Sequence, residues 1–153
     1  MKNRGFTLIE MLVVIGIITM ILAVLFPNFM GARQRARDVQ RKNDLSQMQK
    51  ALELYKLDQS PQAYPTDGAF PGSFCSQCWS SGADCGGNIY MRKFPCDPGS
   101  LAPTPYIYKA AVGISPLQYT ISACLENFVD PDRDLTPEPT CAASATSYTI
   151  HEP

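Results

Sequence analysis

Six cysteines are the side chains of this sequence best suited to covalent chemistry, and all of them lie in its C-terminal half. Thiols at such spacings can form disulfides, bind zinc as thiolates or act as a redox pair. The second Cys-x2-Cys that is usual for zinc is missing, and so is the βαβ pattern that surrounds a thioredoxin-like pair. We therefore predict disulfides in an oxidising compartment. The six residues are Cys75, Cys78, Cys85, Cys96, Cys124 and Cys141.

The pairing of these cysteines does not follow from their spacing, because six cysteines allow many combinations. We favour Cys124–Cys141, which would close a proline-rich acidic loop that follows a predicted strand. The other four cysteines would then pair among themselves. A bridge of this length contributes about 3 kcal/mol to stability by loop entropy.

Three aspartates at alternating positions, Asp130, Asp132 and Asp134, resemble the first half of a calcium-binding loop. An EF-hand would need Gly at the sixth position and Glu at the twelfth, where this chain has Leu135 and Cys141. An EF-hand is therefore excluded. A looser calcium site and a solvated acidic turn both stay open, and we expect no other cofactor.

Catalytic groups are scarce in this sequence. The single histidine, His151, has no evident nucleophile or second base with it, and no phosphate-binding or dinucleotide-binding motif is present. We therefore expect no enzymatic activity.

One carboxylate stands out near the N-terminus, because Glu10 is the only charged residue between positions 6 and 32. The segment around it, Phe6–Phe26, is apolar and would be about 31 Å long as a helix, which matches a bilayer core of about 30 Å. A carboxylate costs roughly 2.5–3.5 kcal/mol in such a segment unless it is paired. Lys2 and Arg4 precede the segment and favour a cytoplasmic N-terminus.

The opening K-N-R-G-F-T-L-I-E-M-L-V-V-I-G-I-I resembles the class III signal of type IV pilins and type II secretion pseudopilins. The resemblance implies that a prepilin peptidase cuts after Gly5 and that the new N-terminal residue, Phe6, is N-methylated. It also implies that Glu10 pairs with the N-terminal amine of a neighbouring subunit during assembly. Phe6 and Glu10 are four positions apart, which predicts that they share one helix face. Pro27, where many members of the family have a helix-loosening proline, is predicted to kink or melt the helix near residues 23–28.

Four segments follow from these patterns: a cleaved leader (1–5), a membrane or filament-core helix (6–28), an amphipathic basic helix (29–59) and a head (60–153). We predict that the helix is continuous from residue 6 to about 58. An apolar stripe on its second half is predicted to pack on the head. This stripe comprises Leu45, Met48, Leu52 and Tyr55, widened by Ala51 and Leu54.

Charge is distributed unevenly between the last two segments. Residues 29–59 contain seven Lys or Arg against four Asp or Glu, a net charge of +3, whereas residues 60–153 contain four against nine, a net charge of −5. The basic run R-Q-R-A-R-D-V-Q-R-K could pack against neighbouring subunits, be solvated or bind nucleic acid. We favour subunit packing, because the head is acidic and disfavours nucleic acid as a partner.

The head contains three stretches in which apolar and polar residues alternate, at 105–109, 117–125 and 146–151. They predict an antiparallel sheet with one buried face. In the second stretch, Leu117, Tyr119, Ile121, Ala123 and Leu125 would share that face. The predicted fold class is α+β, with a long N-terminal helix packed on a small disulfide-stapled sheet, as in pilins.

These observations predict a pilin-like structural subunit that forms a homopolymer. It would be inserted in the cytoplasmic membrane by a single pass, processed by prepilin peptidase, and passed by an assembly platform into an extracellular or periplasmic filament. The alternative within the family is a major pseudopilin of a type II secretion system. The alternative from another class is a membrane-anchored metal-binding or DNA-binding module.

Overall fold

The computed structural model describes residues 5–70, 75–99, 106–113, 116–141 and 146–153, apart from the side chains of residues 26–28. These residues form one long helix, two short 3-10 turns and five strands. The elements in chain order are α1 (Leu8–Asp58), β1 (Trp79–Ser80), the turn Ala83–Cys85, β2 (Ile89–Met91), β3 (Ile107–Ala110), β4 (Tyr119–Cys124), the turn Pro139–Cys141 and β5 (Ser147–His151). This is the α+β, pilin-like architecture that the sequence predicted.

The chain divides into two compact units within α1, between Ala36 and Arg37. The helix assignment is nevertheless unbroken, and residues 23–28 are all helical. The local melting that we considered near Pro27 is therefore not seen in this structure. A kink caused by Pro27 stays a prediction, because its side chain lies outside the described residues.

The N-terminal unit presents an apolar helix with no internal cover. The window Leu8–Leu25 has a mean hydropathy of 2.8, and none of it is buried. By length and composition it is able to cross a membrane. A surface of this size and apolarity is stable in lipid or against other apolar helices, but not in water.

The second half of α1 contributes the predicted stripe to the core of the head. Leu45, Met48 and Leu52 are fully buried, and Tyr55 is partly buried at the edge of the same cluster. The assignment of Leu54 to the stripe was wrong, because its side chain is 51% exposed. At 3.6 residues per turn, Leu54 lies about 140° around the helix from the centre of the stripe.

Strands β3, β4 and β5 form an antiparallel sheet with β4 at its centre. Tyr119, Ile121 and Ala123 of β4 face the core as predicted, and Leu125 is also buried. Leu117 is 61% exposed, which contradicts its assignment to that face. It precedes the first residue of β4, so the register of the ladder does not orient it.

The sequence did not predict β1 and β2, which form a separate antiparallel pair in the cysteine-rich segment. These strands are only two and three residues long and show no alternation that could be read in advance. Aromatic packing orients them, because the Trp79 ring stacks on Tyr55 of α1 with centroids 5.4 Å apart. Tyr90 of β2 packs edge-on against both rings.

Candidate assembly site

Glu10 is held by Thr7 in a reciprocal hydrogen-bonded arrangement at the start of α1. The backbone N–H and the hydroxyl of Thr7 both donate to Oε2 of Glu10, at 2.8 and 2.7 Å. The backbone N–H of Glu10 donates in return to the Thr7 hydroxyl oxygen at 3.3 Å. This is a capping box, in which the residue before the helix and the third helical residue satisfy each other's free N–H groups.

Thr7 is a candidate functional residue that the sequence reasoning missed. The pattern that could have revealed it is T-L-I-E, the Thr-x-x-Glu spacing of a capping box before an apolar run. The capping box fixes where the Glu10 carboxylate lies. Both donors reach Oε2, and a carboxylate accepts at about four positions, so Glu10 still has capacity for a further cation.

The predicted cleavage point lies just before the helix. Gly5 and Phe6 are not helical, and the Phe6 side chain is 80% exposed. A Cβ added at Gly5 would meet no described atom within 4 Å, so packing gives no reason for a glycine there. Because α1 begins at Leu8, Phe6 and Glu10 do not share a helix face, and the geometric argument that we drew from their spacing was wrong.

The basic run divides into two groups with different surroundings. Arg33 and Arg35 are exposed, and the Arg33 guanidinium lies 4.9 Å from the centroid of the Phe29 ring. The other three cations, Arg37, Arg41 and Lys42, bind carboxylates of their own head. The prediction that this run packs against neighbouring subunits therefore rests on Arg33 and Arg35.

Arg41 is the centre of a buried ion network. It is 4% exposed and donates to Asp38 at 2.7 Å, to Asp97 at 2.8 and 2.9 Å, and to Glu126 at 2.9 Å. Asp38 in turn accepts the backbone N–H groups of Glu126 and Asn127. Removing one partner from such a network is costly, because it leaves a desolvated charge unpaired.

Glu126 is the carboxylate of this network whose pKa is shifted most clearly. It pairs with Arg37 and with Arg41. The hydrogen bond from Arg37, supported by Arg41, outweighs the effect of burial and lowers the pKa of Glu126 to about 2. The carboxylate is therefore ionised in the folded head at any pH well above that value, and it fixes the chain just after β4 to α1.

The three aspartates Asp130, Asp132 and Asp134 do not converge on one point. Asp130 and Asp132 both accept from Nζ of Lys42, at 2.5 and 2.8 Å. Asp134 instead binds β5, where it accepts from the hydroxyls of Ser147 and Thr149 and from the Thr149 N–H. Within the described part of the chain, no group of three His, Cys, Asp or Glu side chains is arranged to hold a metal ion.

All six cysteines are joined in disulfides, so none of them is a thiolate in this structure. Cys124 is bonded to Cys141, the pairing that we favoured, and the other four pair among themselves as Cys75–Cys96 and Cys78–Cys85. The first bond closes the loop between β4 and the turn Pro139–Cys141. Cys75–Cys96 brackets both β1 and β2, and Cys78–Cys85 brackets β1 and ends in the turn Ala83–Cys85.

Comparison with known proteins identifies the N-terminal segment. Residues 1–26 match the prokaryotic N-terminal methylation motif, which confirms the resemblance drawn from the sequence. The type II secretion system core protein G of Escherichia coli K12 is 42% identical over 65 residues, which cover 42% of this chain and 43% of that protein. The type IV wide pilus major component PilA4 of Thermus thermophilus is 48% identical over 59 residues, covering 38% of this chain and 45% of that protein.

The similarity is partial in each case. The matched stretches span less than half the length of these relatives, and the same holds for protein G of Klebsiella pneumoniae, which is 42% identical over 65 residues, 42% of this chain and 45% of that protein. No solved structure matches the chain.

Proposed function

We propose that this protein is a structural, non-enzymatic subunit of a pilin-like filament. Prepilin peptidase cuts the chain after Gly5, the amine of Phe6 is methylated, and the mature subunits polymerise through their apolar helices. The observation that carries the proposal is the methylation motif on residues 1–26 at the start of a fully exposed apolar helix. Relatives named as a pilus component and as type II secretion proteins support it.

The geometry of the N-terminus supports the pairing role of Glu10. Cleavage would place a new amine on Phe6, next to the capping box. In a single subunit the capping box satisfies only part of the capacity of the carboxylate. In lipid, a cation from a second subunit would relieve the remaining cost of the charge. The unpaired acceptor capacity therefore favours assembly over the isolated membrane-bound subunit.

The apolar helix sets where the protein resides before assembly. We propose a single pass through the cytoplasmic membrane with the N-terminus in the cytoplasm, followed by transfer to a filament by an assembly platform. A head-to-tail contact between identical subunits that does not close into a ring generates a helical filament. Burial of Leu8–Leu25 against identical helices would offset its removal from lipid. Arg33 and Arg35, which are exposed, would face acidic residues of a neighbouring head.

The decisive experiment is N-terminal analysis of the protein extracted from membranes. We expect the mature chain to begin at Phe6 with a methylated amine. A chain that begins at Met1, or at a site beyond Phe26, would overturn the proposal. A Gly5→Leu variant is the matched control, because no described atom lies within 4 Å of a Cβ at residue 5 and the substitution tests recognition without disturbing the described packing.

A major pseudopilin is the second candidate, favoured by the relatives named type II secretion system core protein G. The two candidates differ in the length and location of the filament. Immunogold electron microscopy of cells at native expression would show long surface fibres for a pilus subunit. Absence of fibres, together with loss of protein secretion when the chain is deleted, would assign it to a secretion system.

A further inference from the structure

The acidic loop between β4 and the turn Pro139–Cys141 already contains a cation. Lys42 of α1 reaches into it, and Nζ donates to Oδ1 of Asp130 at 2.5 Å and to Oδ2 of Asp132 at 2.8 Å. The Lys42 side chain is only 19% exposed, and Nζ also lies 5.5 Å from the centroid of the Tyr148 ring. The ammonium group thus has two carboxylates and an aromatic face around it.

The spacing of Asp130, Asp132 and Asp134 leaves a looser calcium site open for this loop, and the arrangement of its oxygen donors decides whether that ion fits. Calcium binds six to eight oxygen ligands that converge at 2.3–2.6 Å. Here two of the three carboxylates converge on Lys42, and the third, Asp134, is engaged by Ser147 and Thr149 of β5. The described residues of the loop do not fit a calcium site, because an ammonium group occupies the point to which Asp130 and Asp132 converge.

Two further contacts hold the loop without a metal. The Cys124–Cys141 disulfide closes it at its base. Asp38 of α1 accepts the N–H groups of Glu126 and Asn127 at its entry. Lys42 lies one helical turn beyond Asp38 on the same helix, so both side chains fix the loop to one face of α1.

We propose that Lys42 is the resident cation of this loop and takes the place of a calcium ion, so that the head folds and keeps its stability independently of calcium. Lys42 supplies the positive charge that a metal ion would otherwise bring to Asp130 and Asp132. The inference concerns the head alone and does not depend on whether the protein forms filaments.

Ionisation of the groups is consistent with this arrangement. Burial opposes the charge on Lys42, but its hydrogen bonds to Asp130 and Asp132 outweigh that effect and raise its pKa. Burial likewise opposes the charge on Asp130, and the contacts with Lys42 and with the Asp132 N–H lower its pKa overall. Both partners therefore stay charged in the folded head at neutral pH.

The first test is thermal unfolding of the full-length protein in detergent, followed by the fluorescence of Trp79, the single tryptophan. We expect the same midpoint in calcium chloride and in EGTA, with magnesium chloride as the ionic-strength control. We also expect no heat of calcium binding by titration calorimetry. A midpoint that rises with calcium relative to both controls, or a stoichiometric binding isotherm, would overturn the proposal.

The second test asks whether Lys42 supplies the cation. Lys42→Met is expected to lower the midpoint by about 5 °C, whereas Lys50→Met, at an exposed lysine of the same helix, leaves it unchanged. Lys42→Arg keeps a cation at the position and retains most of the stability, which keeps the test valid if the methionine variant does not fold. Unfolding of both Lys42 variants at the wild-type midpoint would contradict the role of Lys42.

A double-mutant cycle isolates the pair itself. If the ammonium group neutralises Asp130, the combination of Lys42→Met with Asp130→Asn lowers the midpoint by less than the sum of the two single changes, because each removes the same interaction. Strictly additive shifts would show that the two residues are independent and would overturn the proposal.

Discussion

The apolar N-terminal part of the helix and the head differ in where their side chains find contacts. The window Leu8–Leu25 exposes every residue and contains one charge, Glu10, which is held by a local hydrogen bond to Thr7. The second unit, from Arg37 onward, buries an aromatic and aliphatic core and pairs Arg37, Arg41 and Lys42 of α1 with carboxylates of the head. The first region needs an external partner, either lipid or another subunit. The second forms its core and these ion pairs within one chain.

This difference predicts a separation of phenotypes. Changes in the N-terminal region should affect assembly without changing the unfolding of the head. Changes in the head should affect its unfolding without changing membrane insertion or cleavage. The assembly variant comes first, and the head variants follow from the largest expected loss of stability to the smallest.

Glu10→Ala should be inserted and cleaved normally but assemble poorly. Loss of about 1.4 kcal/mol per subunit contact corresponds to a tenfold weaker association, and we expect filament yield to fall at least by about that factor. Sheared filaments and membrane-bound subunit, quantified by immunoblot, provide the measurement. Normal filament yield would contradict the pairing role of Glu10. A shift in the midpoint of thermal unfolding of the head would show that the two regions are coupled.

Leu52→Ala and Leu54→Ala form a matched pair on one helix. Leu52 is fully buried in the head, so its truncation is expected to destabilise the head by about 2–5 kcal/mol. Leu54 is 51% exposed, and its truncation is expected to change stability by no more than about 0.5 kcal/mol. Urea unfolding of the full-length variants measures both. Equal losses would mean that the two sides of α1 are equally buried in solution.

Replacing Cys124 and Cys141 together by Ser should destabilise the head by about 3 kcal/mol, because the disulfide closes a loop with a sequence separation of 17. Cleavage after Gly5 should proceed at the wild-type rate, since the signal lies outside the head. Urea unfolding and a pulse-labelled cleavage assay test these two statements separately. A cleavage defect with unchanged unfolding would show that the disulfide supports processing and not the stability of the head.

Acid should weaken the head through Glu126, whose pKa is lowered in the folded state from 4.5 to about 2. A lowered folded pKa stabilises the protein above the unfolded value, and this stabilisation is lost as the pH falls through the folded pKa. The shift corresponds to about 3 kcal/mol, which solvent screening of a partly exposed pair reduces to about 2 kcal/mol.

The measurement is urea unfolding of wild type and Glu126→Gln at several pH values. Wild type should lose about 2 kcal/mol more than the variant as the pH falls from 4.5 to about 2. Parallel pH profiles for the two proteins would show that Glu126 does not titrate with a lowered pKa.

The helix was the element best predicted from sequence, because its signals are local. An apolar run followed by the stripe of Leu45, Met48 and Leu52 predicted a helix from residue 6 to about 58, and α1 runs from Leu8 to Asp58. The observed helix begins two residues later than predicted because Thr7 caps it. The prediction that Phe6 and Glu10 share one helix face did not take this cap into account. Leu54 was misplaced because it lies too far around the helix.

The sheet was predicted in part. Alternating residues gave the approximate positions of β4 and β5 and, among the described residues, of β3, whereas β1 and β2 were missed. The short strands β1 and β2 are set by packing of Trp79 and Tyr90 on Tyr55, a residue distant in sequence. Local sequence patterns do not reveal contacts between residues that are distant in the chain.

The sequence by itself determined the N-terminal signal, the apolar helix, the oxidised state of the cysteines and the α+β class, since each depends on residue types at short spacing. The tertiary structure alone decided which carboxylates meet which cations. Arg41 meets Asp97 and Lys42 meets Asp132 across 56 and 90 positions, and a run of basic residues does not specify partners at that distance. Folding selects those partners, because a buried or half-buried charge is stable only beside the group that the packed chain places there.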